Sequence, residues 1–368
     1  MIATASRQGI LAAGCQHRIL LQPNINYRDM RRAFVTGATG FIGGHLVEEL
    51  VSRGIQVTCL VRAGSKTDRL NHPLVRLQEG DLYDHQRLQQ VAEDVDAVFH
   101  LGGLTHARSS DDLFEVNGKA VGRLADVFAR TAKPPRFVYL SSLAATGPSP
   151  SGPDAQKESK HPAPISEYGR SKRAGEIELH QRAAVLPSTI IRPGIVFGPR
   201  DPGLASVFKL IYRLNLHVVI GFQTPPLGLI YVRDLARLLL TAAQHGECLN
   251  EMSQGGYSEQ GYYSAVDDSE FPNYWQLGKR LGAILNRRVF VWPMWRWVGF
   301  SAASAVETLN RFQGRSSFFN PDKIREATAQ SWSASCEKAR KHLNFQPSDN
   351  LDAQLEFTAN WYRDNDWL

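Results

Sequence analysis

The sequence TGATGFIGG at residues 36–44 places three glycines, Gly37, Gly40 and Gly43, at intervals of three after an apolar strand and at the start of a helix. In this arrangement the first glycine permits a tight turn, the second lets backbone approach a pyrophosphate, and the third lets the helix pack closely on the strand. The helix N-terminus then offers free amides and a favourable dipole to a phosphate. The stretch therefore predicts a dinucleotide-binding βα unit.

Alternating strands and helices continue from Arg32 to about residue 200. Short, almost continuous apolar runs such as QVTCLVR, DAVFHLGG and PRFVYLSS are separated by stretches with helical spacing. Such strands are buried on both faces, which is typical of a parallel sheet with helices on each side. We therefore predict an α/β fold, a doubly wound parallel sheet of the Rossmann type with a smaller C-terminal substrate-binding lobe.

The length of 368 residues exceeds the usual size of a single core. The stretch GLIYVRDLARLLLTAAQ predicts one further strand and helix that return to the sheet after residue 227. We expect an N-terminal extension at 1–30, a dinucleotide-binding domain at 31–200 with a return segment at 228–249, and a mainly substrate-binding lobe at 201–368.

The first 28 residues contain three arginines and no acid. Three interpretations stay open: a tail, an organellar transit peptide, and a mis-assigned start upstream of Met30. These arginines contribute to the net charge of +6, whereas basic residues elsewhere are mixed with acids, so we expect no nucleic-acid partner.

The four cysteines lie far apart without a CxxC pattern, and the eleven histidines form neither HxxxH nor HExxH. We therefore expect no disulfide framework, no metal site and a reducing, cytoplasmic location. The aromatic stretch VFVWPMWRWVGFSAASAV at 289–306 is too short for a transmembrane span. We expect it to form a buried or lid-forming helix of an apolar pocket, with membrane-surface contact as the alternative.

The end of the second strand, in QVTCLVRAGSK, bears on the choice of cofactor. An acid there would bind the ribose 2′-hydroxyl of NAD, but this chain has Val61 and Arg62, with Lys66 beyond. A guanidinium at this place can pair with a 2′-phosphate. We therefore expect NADP(H), with NAD(H) as the alternative. Asp81, at the end of the third strand, is either an acceptor for the adenine amine or a helix N-cap.

Tyr168 and Lys172 stand four apart in SEYGRSKRAGE, so on a helix they share one face. A phenol has a pKa of about 10, and lowering it by about three units requires roughly 4 kcal/mol of preference for the phenolate. A lysine ammonium and an oxidised nicotinamide could supply much of that preference. We therefore expect Tyr168 to exchange a proton with a carbonyl oxygen as hydride moves, and Lys172 to hold the nicotinamide ribose.

Two serines end the strand that precedes this helix. Ser142 is expected to hydrogen-bond the same substrate oxygen, whereas Ser141 is expected to cap the strand end. Asn117 lies beside Gly118 within a helical pattern, a poor pair for a helix. The pair indicates either a role in the site, such as holding water or the lysine, or a helix kink.

Taken in order, the motifs TGATGFIGGHL, GDL, VFHLGG, EVNGKAVG, VYLSS, YGRSK, IIRPGIVFGPR and YVRDLA resemble the extended branch of the short-chain dehydrogenase/reductase superfamily over about 31–245. The resemblance implies a catalytic triad of Ser142, Tyr168 and Lys172 assisted by Asn117. It also implies that Asp234 tethers the returning chain. The implied cofactor-binding set is Gly37, Thr39, Gly40, Phe41, Ile42, Gly43, Arg62, Lys66, Asp81, Leu82, Leu101, Gly102, Tyr168, Lys172, Arg192 and Pro193.

Within this branch, LVRAGSK and the C-terminal NPDKIREATAQSWSASCEKARKHLNFQP are most similar to dihydroflavonol 4-reductase-like and 3β-hydroxysteroid dehydrogenase-like members. That similarity implies an NADP(H)-dependent oxidoreductase acting on a carbonyl or secondary alcohol of a moderately apolar small molecule, with a homodimer as a family-based expectation. The alternatives are an NAD-dependent sugar-nucleotide epimerase or dehydratase and a non-catalytic nucleotide sensor. Thr146 and Val61 count against the epimerase, because many such members have a tyrosine and an acid there.

Overall fold

The structure is a computed structural model that describes residues 30–150, 155–251, 257–312 and 319–368. The proposed N-terminal extension and its three interpretations lie outside the described residues, as does Cys15. The strands are β1 (Arg32–Thr36), β2 (Gln56–Val61), β3 (Val75–Glu79), β4 (Ala97–His100), β5 (Arg136–Leu140), β6 (Ser188–Pro193), β7 (Ile195–Phe197), β8 (Leu216–Ile220), β9 (Leu229–Tyr231), β10 (Tyr262–Ala265) and β11 (Phe290–Met294). The helices are α1 (Phe41–Ser52), α2 (His85–Ala92), α3 (Ser110–Phe114), α4 (Ala120–Ala129), α5 (Glu167–His180), α6 (Pro202–Leu214), α7 (Val232–His245), α8 (Tyr274–Ile284), α9 (Arg296–Phe312), α10 (Pro321–Ala327), α11 (Glu337–Leu343) and α12 (Leu351–Asp364).

Seven parallel strands form the central sheet in the order β3-β2-β1-β4-β5-β6-β10. This order confirms the predicted doubly wound Rossmann fold. The chain runs outward from β1 in both directions, so the direction of winding reverses between β1 and β4. In open α/β sheets ligands bind in the crevice at this reversal, outside the carboxyl ends of the strands. The fold therefore places a candidate site where β1 and β4 end.

Helices cover both faces of the sheet. One face carries α1, α7 and α11, and its core includes Leu46, Val138 and Leu239. The other face carries α2, α4 and α5, with Phe128 and Leu179 in its core. Strands buried on both sides explain the nearly continuous apolar runs in the sequence.

The return segment differs in part from its prediction. Helix α7 packs on α1 and on the sheet, but β9 pairs with β7 instead of joining the central sheet. The seventh strand is β10, which pairs with β6. The chain changes partner just after Pro193: the Gly194 amide donates to Ala265 O at 3.0 Å, and the Ile195 amide donates to Gly228 O at 2.8 Å. A Cβ on Gly194 would lie 2.1 Å from the Gly228 carbonyl oxygen, so glycine permits this switch.

The C-terminal lobe has a core of its own, in which α6, α8 and α12 pack together around Phe208, Leu281, Leu355 and Tyr362. Asp234, at the start of α7, ties this part of the chain to the sheet. Its carboxylate accepts hydrogen bonds from the Ser348 amide and from Gln354 Nε2. These bonds tether the C-terminal segment to α7, as the family resemblance implies for Asp234.

The aromatic stretch at 289–306 does not form one helix. It forms strand β11 and then the start of α9, and the expectation of a buried helix is wrong, because most of its large aromatic side chains face outward. In the described ranges, no helix has both the length and the apolar character needed to cross a bilayer. Cys59, Cys248 and Cys336 are free thiols.

Candidate active site

The glycine-rich turn lies at the winding reversal. Gly37 has a φ of +74°, and a Cβ there would lie 2.7 Å from the amide nitrogen of Gly102, in the loop after β4. A Cβ on Gly43 would lie 2.1 Å from Gly37 O, so the first turn of α1 rests directly on the loop. Gly40 caps α1 without a side-chain bond, and the first turn contains no acid. These features leave a cradle of backbone amides that fits a pyrophosphate.

Two predicted cationic side chains follow β2. Arg62 and Lys66 are exposed, and within the described ranges neither forms an ion pair with a carboxylate. The tight turn between them places Gly64 at a φ of +73°. The 2′-phosphate role of these residues stays a prediction, and the geometry leaves their charges available for it.

Asp81 does not cap a helix. Helix α2 begins after Asp84, whose side chain accepts from the Arg87 amide, whereas Asp81 Oδ1 accepts from the Tyr83 amide at 2.7 Å. The N-cap alternative is therefore wrong, and binding of the adenine amine stays a prediction. Thr39 is exposed in the glycine turn, Leu82 is half-buried, and the Gly102 amide donates to Thr36 Oγ1 at 3.1 Å.

A cavity of about 500 Å³ opens between the carboxyl ends of the strands and the C-terminal lobe. It brings together many of the predicted residues from the Rossmann domain, namely Phe41, Ile42, Leu101, Asn117, Ser142, Tyr168, Lys172 and Pro193. The opposite wall is supplied by α6, α8, α10 and the segment after α10, through Leu204, Val207, Tyr274, Leu277, Ala327 and Trp332. The sequence motifs therefore converge on one cleft.

Helix α5 presents Tyr168 in its first turn because Ser166 caps the helix by accepting from the Gly169 amide at 3.0 Å. Burial and the nearby Glu326 carboxylate raise the pKa of Tyr168 to about 12, against a hydrogen bond with Ser142 that lowers it. The sequence predicted a lowered pKa. The groups of the protein itself act in the opposite direction, because the phenol lies away from solvent and near an acid.

Lys172 lies one turn beyond Tyr168 and is buried. Its Nζ atom lies 4.3 Å from the centroid of the Tyr139 ring, a cation–π distance. Burial lowers the pKa of Lys172 to about 7, and the nearby Glu176 carboxylate opposes this shift. With a pKa of about 7, the Lys172 amine can lose its charge near neutral pH. It lies on the face of α5 that lines the cavity.

Of the two serines after β5, Ser142 and not Ser141 acts as a cap. Ser142 accepts from the Ala144 amide at 3.1 Å and so caps the short 3₁₀ turn that follows. Ser141 instead donates to Glu176 Oε1 at 2.6 Å in the buried core. The expectation that Ser141 caps the strand end is wrong, whereas Ser142 reaches Tyr168 as well as its turn.

Arg192 and Pro193 at the end of β6 also lie in different surroundings. The Arg192 guanidinium donates twice to the Glu176 carboxylate, at 2.8 and 2.7 Å, and its Nη1 donates to Tyr257 Oη. It does not line the cavity, whereas Pro193 does. Successive strand residues point to opposite faces of a sheet, so only one of the two can face the cofactor side. Arg192 is therefore removed from the implied cofactor-binding set, whereas Pro193 stays in it.

The helix is interrupted at Asn117, as the kink alternative predicts, and the role of Asn117 in the site stays a prediction. Asn117 lies in a π-helical turn, Glu115–Lys119, that interrupts the helix. Its Oδ1 accepts from the Leu104 amide at 2.8 Å, and its Nδ2 donates to Leu104 O at 2.7 Å and to Ser171 Oγ at 3.0 Å. The amide therefore fixes the loop after β4 to α5, and its direct partner on α5 is Ser171 rather than Lys172. Such π-helical turns are frequent at functional sites.

No pattern in the sequence indicated that α10 contributes to the site. Ser166 Oγ donates to Glu326 Oε1 at 2.6 Å, and the Glu167 amide donates to Asp322 Oδ2 at 2.7 Å. Lys323 Nζ pairs with Glu326 at 2.7 Å and lies 5.3 Å from the centroid of the Tyr168 ring. A seven-residue helix far along the chain thus lies over the Tyr168 side chain.

Comparisons with known proteins agree with this arrangement. The profile of the NAD dependent epimerase/dehydratase family matches residues 33–252. The chain is 33% identical over 206 residues to ceramide reductase of Caulobacter vibrioides, covering 56% of this chain and 59% of that protein. It is 24% identical over 359 residues to human sterol-4-alpha-carboxylate 3-dehydrogenase, decarboxylating, covering 92% of this chain and 90% of that protein.

Among solved structures, UDP-glucose 4-epimerase from Thermotoga maritima superposes with a TM-score of 0.72 at 22% identity, covering 91% of this chain and 99% of that chain. Identity at this level shows a shared fold alone. The chain covers less than two thirds of the length of the ceramide reductase that it matches.

Proposed function

The chain belongs to the NAD dependent epimerase/dehydratase family, and we propose that it is an NADP(H)-dependent oxidoreductase. It interconverts a carbonyl and a secondary alcohol on a moderately apolar small molecule. The observation that carries this proposal is the apolar wall that the C-terminal lobe presents to Tyr168 across the cavity.

That wall is poorly suited to a sugar nucleotide. A diphosphate is normally bound by arginine or lysine side chains. Among the described residues lining the cavity, the cations are Lys172 and Lys323. Lys172 lies on the cofactor side, and Lys323 is already paired with Glu326. An apolar ketone or alcohol requires no such cation, and burying it on Leu204, Val207 and Leu277 would be favourable.

The named relatives agree with an apolar substrate. Ceramide and sterol carboxylates, the compounds in the names of two relatives, are largely hydrocarbon. The cofactor preference rests on Arg62 and Lys66 at the end of β2, where no acid is available for the 2′-hydroxyl of NAD.

In the reductive direction Tyr168 donates its phenolic proton to the carbonyl oxygen, and Ser142 hydrogen-bonds the same oxygen as negative charge develops. When bound, the nicotinamide supplies or accepts the hydride, and its oxidised ring adds positive charge beside the phenol. Lys172 would hold the nicotinamide ribose and favour the phenolate, and Asn117 fixes the loop after β4, which would contact the cofactor. In the oxidative direction Tyr168 takes the proton back.

The released cofactor tests the proposal. We expect the purified protein to release little nucleotide when it is denatured by heat. In a panel of apolar ketones and UDP-sugars, we expect the native protein to oxidise NADPH with an apolar ketone. Tyr168→Phe should reduce this turnover by about 10²–10⁴-fold without changing NADPH binding. Release of one equivalent of NAD, together with epimerisation of a UDP-sugar, would contradict the proposal. Unchanged turnover in Tyr168→Phe would contradict the mechanism alone.

A further inference from the structure

Five large aromatic side chains of the C-terminal lobe are exposed together: Phe222, Phe290, Trp292, Trp295 and Trp297. We call this set the aromatic face. The exposed fraction of these side chains is between 54 and 68%. Single exposed apolar residues are common, but contiguous apolar patches mark sites of interaction.

The geometry of β8 and β11 makes the aromatic face contiguous. The two strands are parallel, with Phe290 opposite Leu216 and Trp292 opposite Val218, so all four side chains lie on one side of the pair. Val291, between the two aromatics, is buried on the other side. Beyond the strand ends, the rings of Phe222 and Trp295 meet edge to face, with centroids 5.1 Å apart. The exposed aromatic residues thus follow one another from one side of the β8–β11 pair, past the ends of these strands, to Trp297 in the first turn of α9.

The segments that supply the aromatic face carry charges of one sign. Residues 202–227 and 271–306, which supply it and its surroundings, contain no Asp or Glu. Four arginines flank it in the chain, at the end of α6, before β11 and at the start of α9. In the part of the chain that the structure describes, none of the four forms an ion pair with a carboxylate; they are Arg213, Arg287, Arg288 and Arg296.

We propose that the aromatic face docks on the surface of an anionic phospholipid bilayer. Tryptophan favours the boundary between hydrocarbon and headgroups, and arginines beside an apolar patch are attracted to anionic lipid. A second copy of the chain is a poorer occupant. A symmetric contact through this face would bring equivalent surfaces together, and the flanking arginines would repel.

The aromatic face is joined to the cavity through α9 and α10, which pack together. Arg296, at the start of α9, donates from Nη2 to Thr328 O at 2.6 Å, directly after α10. The neighbouring Ala327 lines the cavity. A docked bilayer would therefore lie next to α9, which packs on α10, and α10 supplies part of one wall of the cavity. Docking on a bilayer does not depend on which substrate the protein uses. Vesicle binding can therefore be measured whether or not the proposed reaction is correct.

The test is flotation of the full-length protein with vesicles of phosphatidylcholine, with and without phosphatidylglycerol. We expect flotation with the anionic vesicles, a blue shift of tryptophan emission, and weakening by salt. The double variant Trp292→Ala/Trp297→Ala should lower the affinity at least about tenfold. Phe357→Ala, which removes an exposed aromatic of α12, is the matched control and should bind like the parent.

The exposed pair Arg287→Gln/Arg288→Gln tests the charge separately and should weaken binding to anionic vesicles by about tenfold or more. Circular dichroism verifies folding, and this pair decides the question if the tryptophan variants unfold. All variants keep residues 1–29, so differences between them do not arise from that segment. Absence of flotation with anionic vesicles, or equal flotation of all variants, would overturn the proposal. A dimer in sedimentation that the tryptophan changes abolish would assign the face to a second copy instead.

Discussion

At the scale of single residues, two pairs of adjacent side chains point in opposite directions, one member into the core and the other toward the cavity. Ser141 points into the core toward Glu176, while Ser142 turns to Tyr168 and the following turn. On β6, Arg192 is buried in an ion pair and Pro193 faces the cavity. The identity of a residue does not reveal which face it occupies. The pleat of the sheet decides which member of each pair can reach a ligand.

Arg62 carries a prediction at this scale. Arg62→Ala should raise the KM for NADPH by roughly 10- to 150-fold, because a charged hydrogen bond contributes about 1.5–3 kcal/mol. The KM for NADH should change little, since NADH lacks the 2′-phosphate. Arg69→Ala, an exposed change in the same loop, is the control. Steady-state kinetics with both cofactors make the comparison, and an equal effect on both would argue against a phosphate contact.

At the scale of elements, α10 completes the site. It is short, begins with Asn320 as N-cap and Pro321, and packs against the start of α5 through Glu326 and Asp322. Its acid raises the pKa of Tyr168, while Lys323 lies above the ring. The helix therefore influences the protonation of the phenol as well as enclosing the substrate.

Glu326→Gln tests this influence. The change removes a negative charge and keeps an acceptor for Ser166, so the pKa of Tyr168 should fall. Alcohol oxidation requires the phenolate, and the rising limb of its pH–rate profile should therefore move to lower pH, by up to about one unit. Below the midpoint the rate would rise up to about tenfold. Asp322→Asn on the same helix is the control. A profile that does not move, or moves to higher pH, would contradict the electrostatic role.

At the scale of the whole molecule, a buried ion pair joins α5 to the end of β6. Glu176 accepts from Arg192 and from Ser141, and all three side chains are buried. The arginine guanidinium also lies 4.0 Å from the centroid of the Tyr262 ring on β10. The helix that carries Tyr168 is thus fixed to three strands of the sheet beneath it.

Glu176→Gln should lower the free energy of unfolding by about 3–5 kcal/mol, because Arg192 would stay buried without its partner charge. Burial by itself would raise the pKa of Glu176, but Arg192, Arg173 and the Ser141 hydroxyl together outweigh burial and lower it. Its contribution to stability is therefore present above the usual glutamate pKa and is lost as pH falls through the lower, folded-state value. Denaturant unfolding at several pH values should show the difference between variant and parent narrowing in acid.

Glu178→Gln provides the comparison for this change. Glu178 pairs with Arg182 on a more exposed part of α5, and Arg182 keeps Asp126 as a second partner. Glu178→Gln should lower the free energy of unfolding by less than about 1 kcal/mol. If the two variants lost the same free energy of unfolding, burial of the Glu176–Arg192 pair would not make its loss more destabilising than that of a more exposed pair.

The sequence by itself determined the Rossmann fold and the glycine turn, because both depend on local order: a strand, spaced glycines, then a helix. It also placed Tyr168 and Lys172 on one face, since helical spacing relates residues four apart. Tertiary structure decided what depends on distant partners. The change of partner after β6, from the β6–β10 pair to the β7–β9 pair, arises from contacts between remote segments. The same holds for the roles of Ser141 and Arg192 and for the acid that α10 brings close to Tyr168. The aromatic face belongs to the same class, because only the pairing of β8 with β11 determines which side of each strand is covered.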